Sequence, residues 1–177
     1  MELENAIMML PNEIEFLSQT VASLSKDAVV LEVGTALGGS AEVMSKSNTT
    51  VKIFTIDLFG DNGTDHNSVE NLHNIVKFRL SKFSNITVLC GNAMTDFKEW
   101  DNKIDLYFED GVHIDPELST NLNRWISFLK PNGILLVHDH NEFCPDVEKN
   151  IQRLVKLNKF EIVKKVESLT MLKRKEQ

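Results

Sequence analysis

Hydrophobic residues along the chain follow two spacings, which indicate two kinds of element. Near the start of the chain, large apolar side chains recur at steps of three and four, which predicts an amphipathic helix over about 12–24. These side chains are Ile14, Leu17, Val21 and Leu24. Farther along, short runs of β-branched and aliphatic residues predict buried strands. The predicted strands span 28–33, 51–56, 86–90, 104–108 and 134–137.

Helical spacing fills the segments between these strands. Helices are predicted over 40–46, 67–83, 95–100 and 115–129, and over a last stretch whose inward residues are Val147, Ile151, Leu154 and Val155. Two final strands, 160–164 and 169–173, are separated by too few residues for a crossover and must be antiparallel. The predicted fold is one α/β domain over 1–177. Its doubly wound, mostly parallel seven-stranded sheet is Rossmann-like and ends in an antiparallel C-terminal hairpin.

Composition narrows the class of protein. A chain of 177 residues with 42% hydrophobic and 25% charged residues suits one globular domain. The net charge of −7 argues against a nucleic-acid partner, because Lys and Arg contacts to phosphate supply most of that affinity. Cys90 and Cys144 form no paired framework, and neither a leader segment nor a membrane-length apolar run is present. A reduced, cytoplasmic setting without a membrane partner is expected.

The segment 29–40 predicts a turn that binds a ligand. Glu32 lies near the end of the strand, and Gly34 and Gly39 follow it. Glycine lets a ligand approach the backbone, and the start of the next helix presents free N–H groups. A nicotinamide dinucleotide is one candidate ligand, because Gly34, Ala36 and Gly39 nearly match the G-x-G-x-x-G spacing.

Polar residues also follow the other predicted strands. Asp57 ends the second strand, Asn92 follows the third, Asp110 follows the fourth and Asp139 follows the fifth. In an open α/β sheet, ligands bind outside the carboxyl ends of the strands. We therefore expect these side chains to line one crevice.

Several motifs at these strand ends occur together in a known family. They are Asp110-Gly111-Val112-His113, Trp125, Leu129-Lys130-Pro131-Asn132-Gly133 and His138-Asp139-His140. On these motifs the chain resembles the class I S-adenosylmethionine-dependent methyltransferases over nearly its whole length. Within that class it is similar to the small-molecule O-methyltransferases of the macrocin and cephalosporin-tailoring type. Their usual Asp-Gly-Asp-His-Ser-Tyr pattern differs here at Val112, Ile114 and Asp115.

The resemblance implies a role for each residue of the crevice. Glu32 would hold the methionine end of the cofactor through its amino group, and the backbone from Gly34 to Gly38 would run beneath the cofactor. Asp57 would accept both ribose hydroxyls, because one carboxylate suits two adjacent O–H donors. The adenine would lie beside the turn after the third strand. The expected cofactor-binding residues are Glu32, Gly34, Thr35, Gly38, Ser40, Asp57, Leu58, Asn92, Ala93 and Asp110.

A further likeness, to metal-dependent catechol-type O-methyltransferases, implies a reaction centre. The ligands carried over are Asp110, Asp139 and His140, and the catalytic residues are Asp110 and His113, with His113 as the base. An acceptor hydroxyl must lose its proton before it attacks, and a divalent ion stabilises the resulting oxyanion. An imidazole ligand moves metal preference from Mg toward Mn, Fe or Zn, so Mg or another divalent cation is expected only as an optional second cofactor. His138 is expected to point away from Asp139.

These expectations define an O-methyltransferase that uses S-adenosylmethionine and acts on a small hydroxylated metabolite. The alternatives are a nicotinamide-dinucleotide-dependent oxidoreductase and a non-catalytic cofactor-binding subunit. The expected partners are the acceptor molecule and, through the N-terminal helix, a second copy of the chain as a homodimer. The loop 58–67, which contains His66, is expected to be a mobile lid.

Overall fold

A seven-stranded sheet occupies the middle of the computed structural model, which describes residues 7–60 and 65–176. Its strands are β1 (Val29–Val33), β2 (Lys52–Asp57), β3 (Ile86–Cys90), β4 (Ile104–Glu109), β5 (Leu129–Val137), β6 (Phe160–Val166) and β7 (Leu169–Arg174). Their order is β3-β2-β1-β4-β5-β7-β6, and β7 runs in the opposite direction to the other six strands. The predicted parallel sheet with an antiparallel C-terminal hairpin is confirmed.

Helices cover both faces of the sheet. They are α1 (Pro11–Ala22), α2 (Gly39–Ser47), α3 (His66–Leu80), α4 (Glu117–Ile126) and α5 (Pro145–Lys156). One apolar core lies between the sheet and α1, α2 and α3, and a second lies between the sheet and α4 and α5. None of the helices in the described part of the chain is long and apolar enough to cross a membrane.

The crevice of this sheet opens where β1 lies between β2 and β4. From β1 the chain passes to α2 on one face, whereas from β4 it passes to α4 on the other face. The two loops therefore separate and leave room for a ligand at the strand ends. Gly34 makes this junction close, because its φ is +103° and a Cβ there would lie 2.1 Å from the backbone oxygen of Asp110. Only glycine fits that approach.

Two predicted helix positions are wrong. Helix α3 begins at His66, one residue earlier than predicted, because the carboxylate of Asp65 accepts the N–H groups of Asn67 and Ser68. His66 is therefore in the first helical turn and not in the lid, whose residues 61–64 lie outside the described part of the chain. The segment 95–100 forms turns instead of a helix, since Phe97 has a φ of +56° that a right-handed helix excludes.

Two further element boundaries differ from the prediction. Strand β5 begins at Leu129, five residues before the predicted strand 134–137. Leu129 pairs with Ile104, and after a register shift Ile134 pairs with Leu106. Helix α4 spans Glu117–Ile126 and is therefore shorter at both ends than the predicted helix 115–129.

Candidate active site

A cavity of about 470 Å³ lies at the carboxyl ends of β1 to β5. Eight of the ten residues predicted to bind the cofactor line it, namely Gly34, Thr35, Ser40, Asp57, Leu58, Asn92, Ala93 and Asp110. Glu32 and Gly38 are not among its lining residues. The cavity therefore lies at the predicted strand ends, whereas Glu32 and Gly38 lie outside its lining.

Asp57 fixes the turn on one side of the cavity. Its Oδ2 accepts the backbone N–H of Ala36 at 2.8 Å, and its Oδ1 accepts that of Phe59 at 2.7 Å. Each carboxylate oxygen has two lone pairs, so both oxygens retain acceptor capacity toward the cavity. Asp57 joins the loops after β1 and β2 and still offers a bidentate acceptor to a diol.

Glu32 lies beneath the cavity floor. Its side chain is fully buried, and its two oxygens accept hydroxyl hydrogens from Ser40 and Thr55, each at 2.5 Å. Burial raises the pKa of Glu32 to about 8, although both hydroxyl bonds act in the opposite direction. Thr55 is in turn 2.6 Å from the hydroxyl of Thr35. Ser40 and Thr35, which do line the cavity, therefore connect Glu32 to it.

Gly38 has a structural position. It caps α2 in the left-handed region at φ +79°, and a Cβ there would lie 2.8 Å from the side chain of Leu80. Glycine is required for this turn and for the packing of α3 against it.

The opposite end of the cavity holds a cluster of imidazole and carboxylate groups. Nδ1 of His138 lies 2.9 Å from Oδ1 of Asp110 and 3.7 Å from Oδ2 of Asp139. Nδ1 of His113 lies 3.4 Å from the same Asp139 oxygen. Nε2 of His113 is buried and has no hydrogen-bond partner among the described residues. The two predicted catalytic residues thus lie in one cluster.

The orientation of His138 in this cluster differs from the prediction. The expected alternation along the strand would separate it from Asp139, and this expectation is wrong. Asp139 has a φ of +56°, so the extended conformation ends there and the two side chains turn to the same side. Nε2 of His138 also lies 3.2 Å from a carboxylate oxygen of Glu13 on α1.

His140 does not belong to the cluster, so its predicted role as a metal ligand is wrong. It is buried, its Nδ1 contacts the hydroxyl of Thr170 at 2.7 Å, and its Nε2 contacts Glu148. Because Asp139 breaks the alternation, His140 faces β7 and α5 while its neighbours face the cavity. The ligand groups that do converge are Asp110 with His138 and Asp139, and His113 with Asp139 and Cys144, each set within 4.8 Å.

Burial and close charges set the protonation of this cluster. Burial raises the pKa of the Asp110 carboxyl, against the hydrogen bond and charge of His138. Burial alone would lower the pKa of His138, but Asp110, Glu13 and Asp139 raise it to about 9. At neutral pH His138 is therefore an imidazolium held between carboxylates.

Asn121 is the polar residue that the sequence argument missed on the cavity wall. It lies on α4, is 4% exposed, and its Oδ1 is buried without a hydrogen-bond partner among the described residues. A signal for it exists, because Asn121 falls on the apolar stripe of α4 between Leu118 and Leu122. Glu13 gives the same signal on the buried face of α1. A polar side chain within an apolar stripe needs a partner.

The fold is Rossmann-like, and its crevice at the carboxyl ends of the strands is rich in acidic side chains. Residues 31–140, more than half of the chain, match the family model described as a methyltransferase domain, and the chain belongs to this family. No curated protein matches the sequence.

Several solved structures share the fold. They include the S-adenosylhomocysteine-bound methyltransferase PaMTH1 of Podospora anserina, with 15% identity, 99% of this chain and 86% of that chain covered and a TM-score of 0.71. The O-methyltransferase NovP has 15% identity, coverage of 97% and 83%, and a TM-score of 0.72. The SAM-dependent O-methyltransferase TM0748 of Thermotoga maritima has 13% identity, coverage of 96% and 67%, and a TM-score of 0.70. Family and fold confirm the resemblance to class I methyltransferases and favour it over a dinucleotide oxidoreductase.

Proposed function

We propose that the protein transfers a methyl group from S-adenosylmethionine to a hydroxyl of a small metabolite. The observation that carries this proposal is a single cavity with Asp57 at one end and the His113–Asp139 pair at the other. The first suits a ribose diol, and the second suits removal of a proton from an acceptor hydroxyl. The names of NovP and TM0748 as O-methyltransferases support oxygen as the acceptor atom, and the macrocin-type motifs support a small molecule.

The cavity fits the adenosyl group at Asn121. Asn121 lines the same cavity as Ala93 and Val112, and its Oδ1 is buried without a hydrogen-bond partner among the described residues. Arg124, one turn farther along α4, donates to the backbone oxygen of Ala93 at 3.0 Å. We place the adenine between Ala93 and Val112, so the exocyclic amino group of the base can donate to Asn121. The methionine end then lies above Ser40 and Glu32.

His113 is the base that we propose. With its proton on Nδ1, which lies 3.4 Å from Oδ2 of Asp139, His113 keeps an unshared lone pair on Nε2, which is buried 4.0 Å from Oδ1 of Asp110. That nitrogen can take the proton of an acceptor hydroxyl as the oxygen attacks the methyl group. Alignment of the oxygen with the methyl supplies most of the rate, and it is worth about 7–11 kcal/mol in well-oriented reactions.

Asp110 and Asp139 are the carboxylates that we propose as ligands of a divalent ion. Both ring nitrogens of His138 already have carboxylate partners, so its hydrogen bonds would have to rearrange for it to bind metal. The alternative set with His113 and Cys144 offers nitrogen and sulfur, which suits zinc better than magnesium. A bound ion would stabilise the acceptor oxyanion. Calorimetric titration with Mg, Mn and Zn salts tests this proposal, and an unchanged heat in Asp139→Asn would contradict it.

Isothermal calorimetry with S-adenosylhomocysteine tests the function itself. Wild type should bind it, and Asp57→Asn should bind at least 10-fold more weakly, because one carboxylate acceptor is lost in a charged hydrogen bond worth about 1.5–3 kcal/mol. Asp105→Asn is the matched control. Asp105 also accepts a backbone N–H, from Val29 at 2.8 Å, but lies near the amino end of β4. No binding by wild type, or equal binding by Asp57→Asn, would refute the proposal.

The oligomeric state is a separate proposal. We propose a homodimer that pairs through α1, and light scattering after gel filtration tests it, since a monomer mass would exclude it.

A further inference from the structure

A second cavity, of about 570 Å³, adjoins the first and opens to the surface between α1 and the loop after β5. The two cavities share Ile7, Met8, Met9, His138 and Asp139. We infer that the second cavity binds a small alcohol or phenol that has an apolar body and no anionic group. This inference rests on the proposed methyltransferase function and names the acceptor class for it.

Exposed apolar side chains surround this second cavity. Phe143 is 83% exposed, Met8 is 77% exposed and Leu10 is 54% exposed, and all three line it. Single exposed apolar residues are ordinary, but three around one cavity next to a reaction centre indicate a binding surface. An aromatic ring and a thioether suit the face of a flat, uncharged ring. The body of the acceptor is therefore apolar.

Positive side chains are missing from both cavities. Among the described residues, neither Lys nor Arg lines either cavity, whereas Glu13, Asp139 and Glu167 line the second one. The undescribed residues 1–6, 61–64 and 177 contain neither Lys nor Arg in their sequence. The same is true of the segments that follow the first five strands, namely 34–45, 58–76, 91–97, 110–123 and 138–148. All 19 Lys and Arg residues lie elsewhere.

The cations on neighbouring elements line neither of the two cavities. Lys165 lines a third cavity together with His140 and Glu148. Arg124 donates to two backbone oxygens of the loop after β3. Lys149 pairs with Asp115 at 2.9 Å, and Lys164 lies 4.9 Å from the ring centre of Phe16. Both ring nitrogens of His138 lie within hydrogen-bond distance of carboxylates, at 2.9 Å from Asp110 and 3.2 Å from Glu13. The anionic group of an acceptor would therefore lose its water and find no Lys or Arg side chain as counter-charge, and a divalent ion at Asp110 and Asp139 would face the reacting oxygen instead.

This charge pattern selects among acceptor classes. Proteins bind phosphate-bearing acceptors such as coenzyme A esters, nucleotide sugars and RNA mainly through Lys and Arg. Uncharged phenols and alcohols need none, and a cationic amine gains from the carboxylates around the mouth. The acceptor that fits this cavity is neutral or cationic.

Three phenols that differ in one group test the inference. They are tyramine, 3-(4-hydroxyphenyl)propanamide and 3-(4-hydroxyphenyl)propanoate, which are cationic, neutral and anionic on arms of similar length. Calorimetry on the full chain saturated with S-adenosylhomocysteine should give the first two at least 10-fold lower Kd than the third. Glu167→Lys should narrow that difference at least 3-fold, because it places a cation at the mouth. A propanoate that binds as tightly as the other two would overturn the inference, as would a set of three that does not bind.

Variants at two equally exposed phenylalanines locate the binding. Phe143→Ala should weaken tyramine and the propanamide at least 5-fold, whereas Phe78→Ala, on α3 and also 83% exposed, should leave both unchanged. Equal effects of the two variants would contradict the assignment to this cavity. The first injection series, with S-adenosylhomocysteine alone, separates the two proposals. If that cofactor product binds and the phenols fail, only the acceptor inference is lost, and if it does not bind, the proposed function is lost.

Discussion

The sharpest prediction concerns Asn121 and the base of the cofactor. The variant is Asn121→Ala, and the probes are S-adenosylhomocysteine and its inosine analogue, in which a keto oxygen replaces the amino group of the purine. Oδ1 of Asn121 is buried without a partner and can accept from that amino group. The keto analogue offers an acceptor instead, so both oxygens would stay unsatisfied.

The size of the effect follows from burial. An unsatisfied buried polar group costs about 1–3 kcal/mol, which corresponds to about 5- to 150-fold in Kd. Wild type should therefore prefer the adenine compound by at least 5-fold. Asn121→Ala should lose about 5- to 10-fold in affinity for the adenine compound, because a neutral hydrogen bond contributes about 1 kcal/mol, and should distinguish the two probes by less than 3-fold.

Calorimetry with both probes on both proteins closes a double-mutant cycle. Asn123→Ala is the control, since Asn123 is exposed on the same helix and bonds Arg153 at 3.0 Å. Equal affinity of wild type for the two probes, or a preference that survives in Asn121→Ala, would refute the placement of the adenine. Thermal unfolding of each variant shows whether the affinity change comes from binding or from the fold.

Three other predictions test the remaining groups of the site. The pKa of His138 is about 9 in the folded state against 6.5 for the free side chain, so its stabilisation is complete below pH 6.5 and is lost as pH rises through 9. Urea unfolding should show wild type losing up to about 3 kcal/mol relative to His138→Gln over that range, and parallel profiles would contradict this. The pKa of Glu32 is about 8, so its carboxyl is mostly protonated at pH 7, and binding of the cofactor ammonium should release about one proton from it. Calorimetry in buffers of different ionisation enthalpy measures this release, which should be absent in Glu32→Gln. His113→Ala should lower kcat at least 100-fold with cofactor affinity within 3-fold, and a loss of cofactor binding would exclude its role as base.

The position of the cavity could be predicted because it follows from the periodic hydrophobic pattern that marks the strands and their ends. Carboxyl ends of parallel strands meet at one edge, so Asp57, Asp110 and Asp139 could be placed together from spacing alone. His138 belongs to the cluster and His140 does not, against the prediction, because one left-handed residue, Asp139, ends the alternation, and hydrophobic patterns do not report the sign of φ. Asn121 was missed because its meaning depends on the cavity that α4 faces.

Buried acids at this edge of the sheet work against folding. Burial raises the pKa of Glu32 and of Glu109 to about 8 and raises that of Asp110 as well, so each costs free energy when it ionises in the folded state. Glu109 does not line the cavity, and its carboxylate accepts the hydroxyl of Tyr107 and the backbone N–H of Gly111. The proposed donor carries both a sulfonium and an ammonium group, whereas its product retains only the ammonium. The carboxylates that line the two cavities attract both positive groups of the donor, so they favour the donor over its product, and the same carboxylates disfavour an anionic acceptor. One electrostatic feature thus accounts for donor binding, product release and acceptor choice in the proposed reaction.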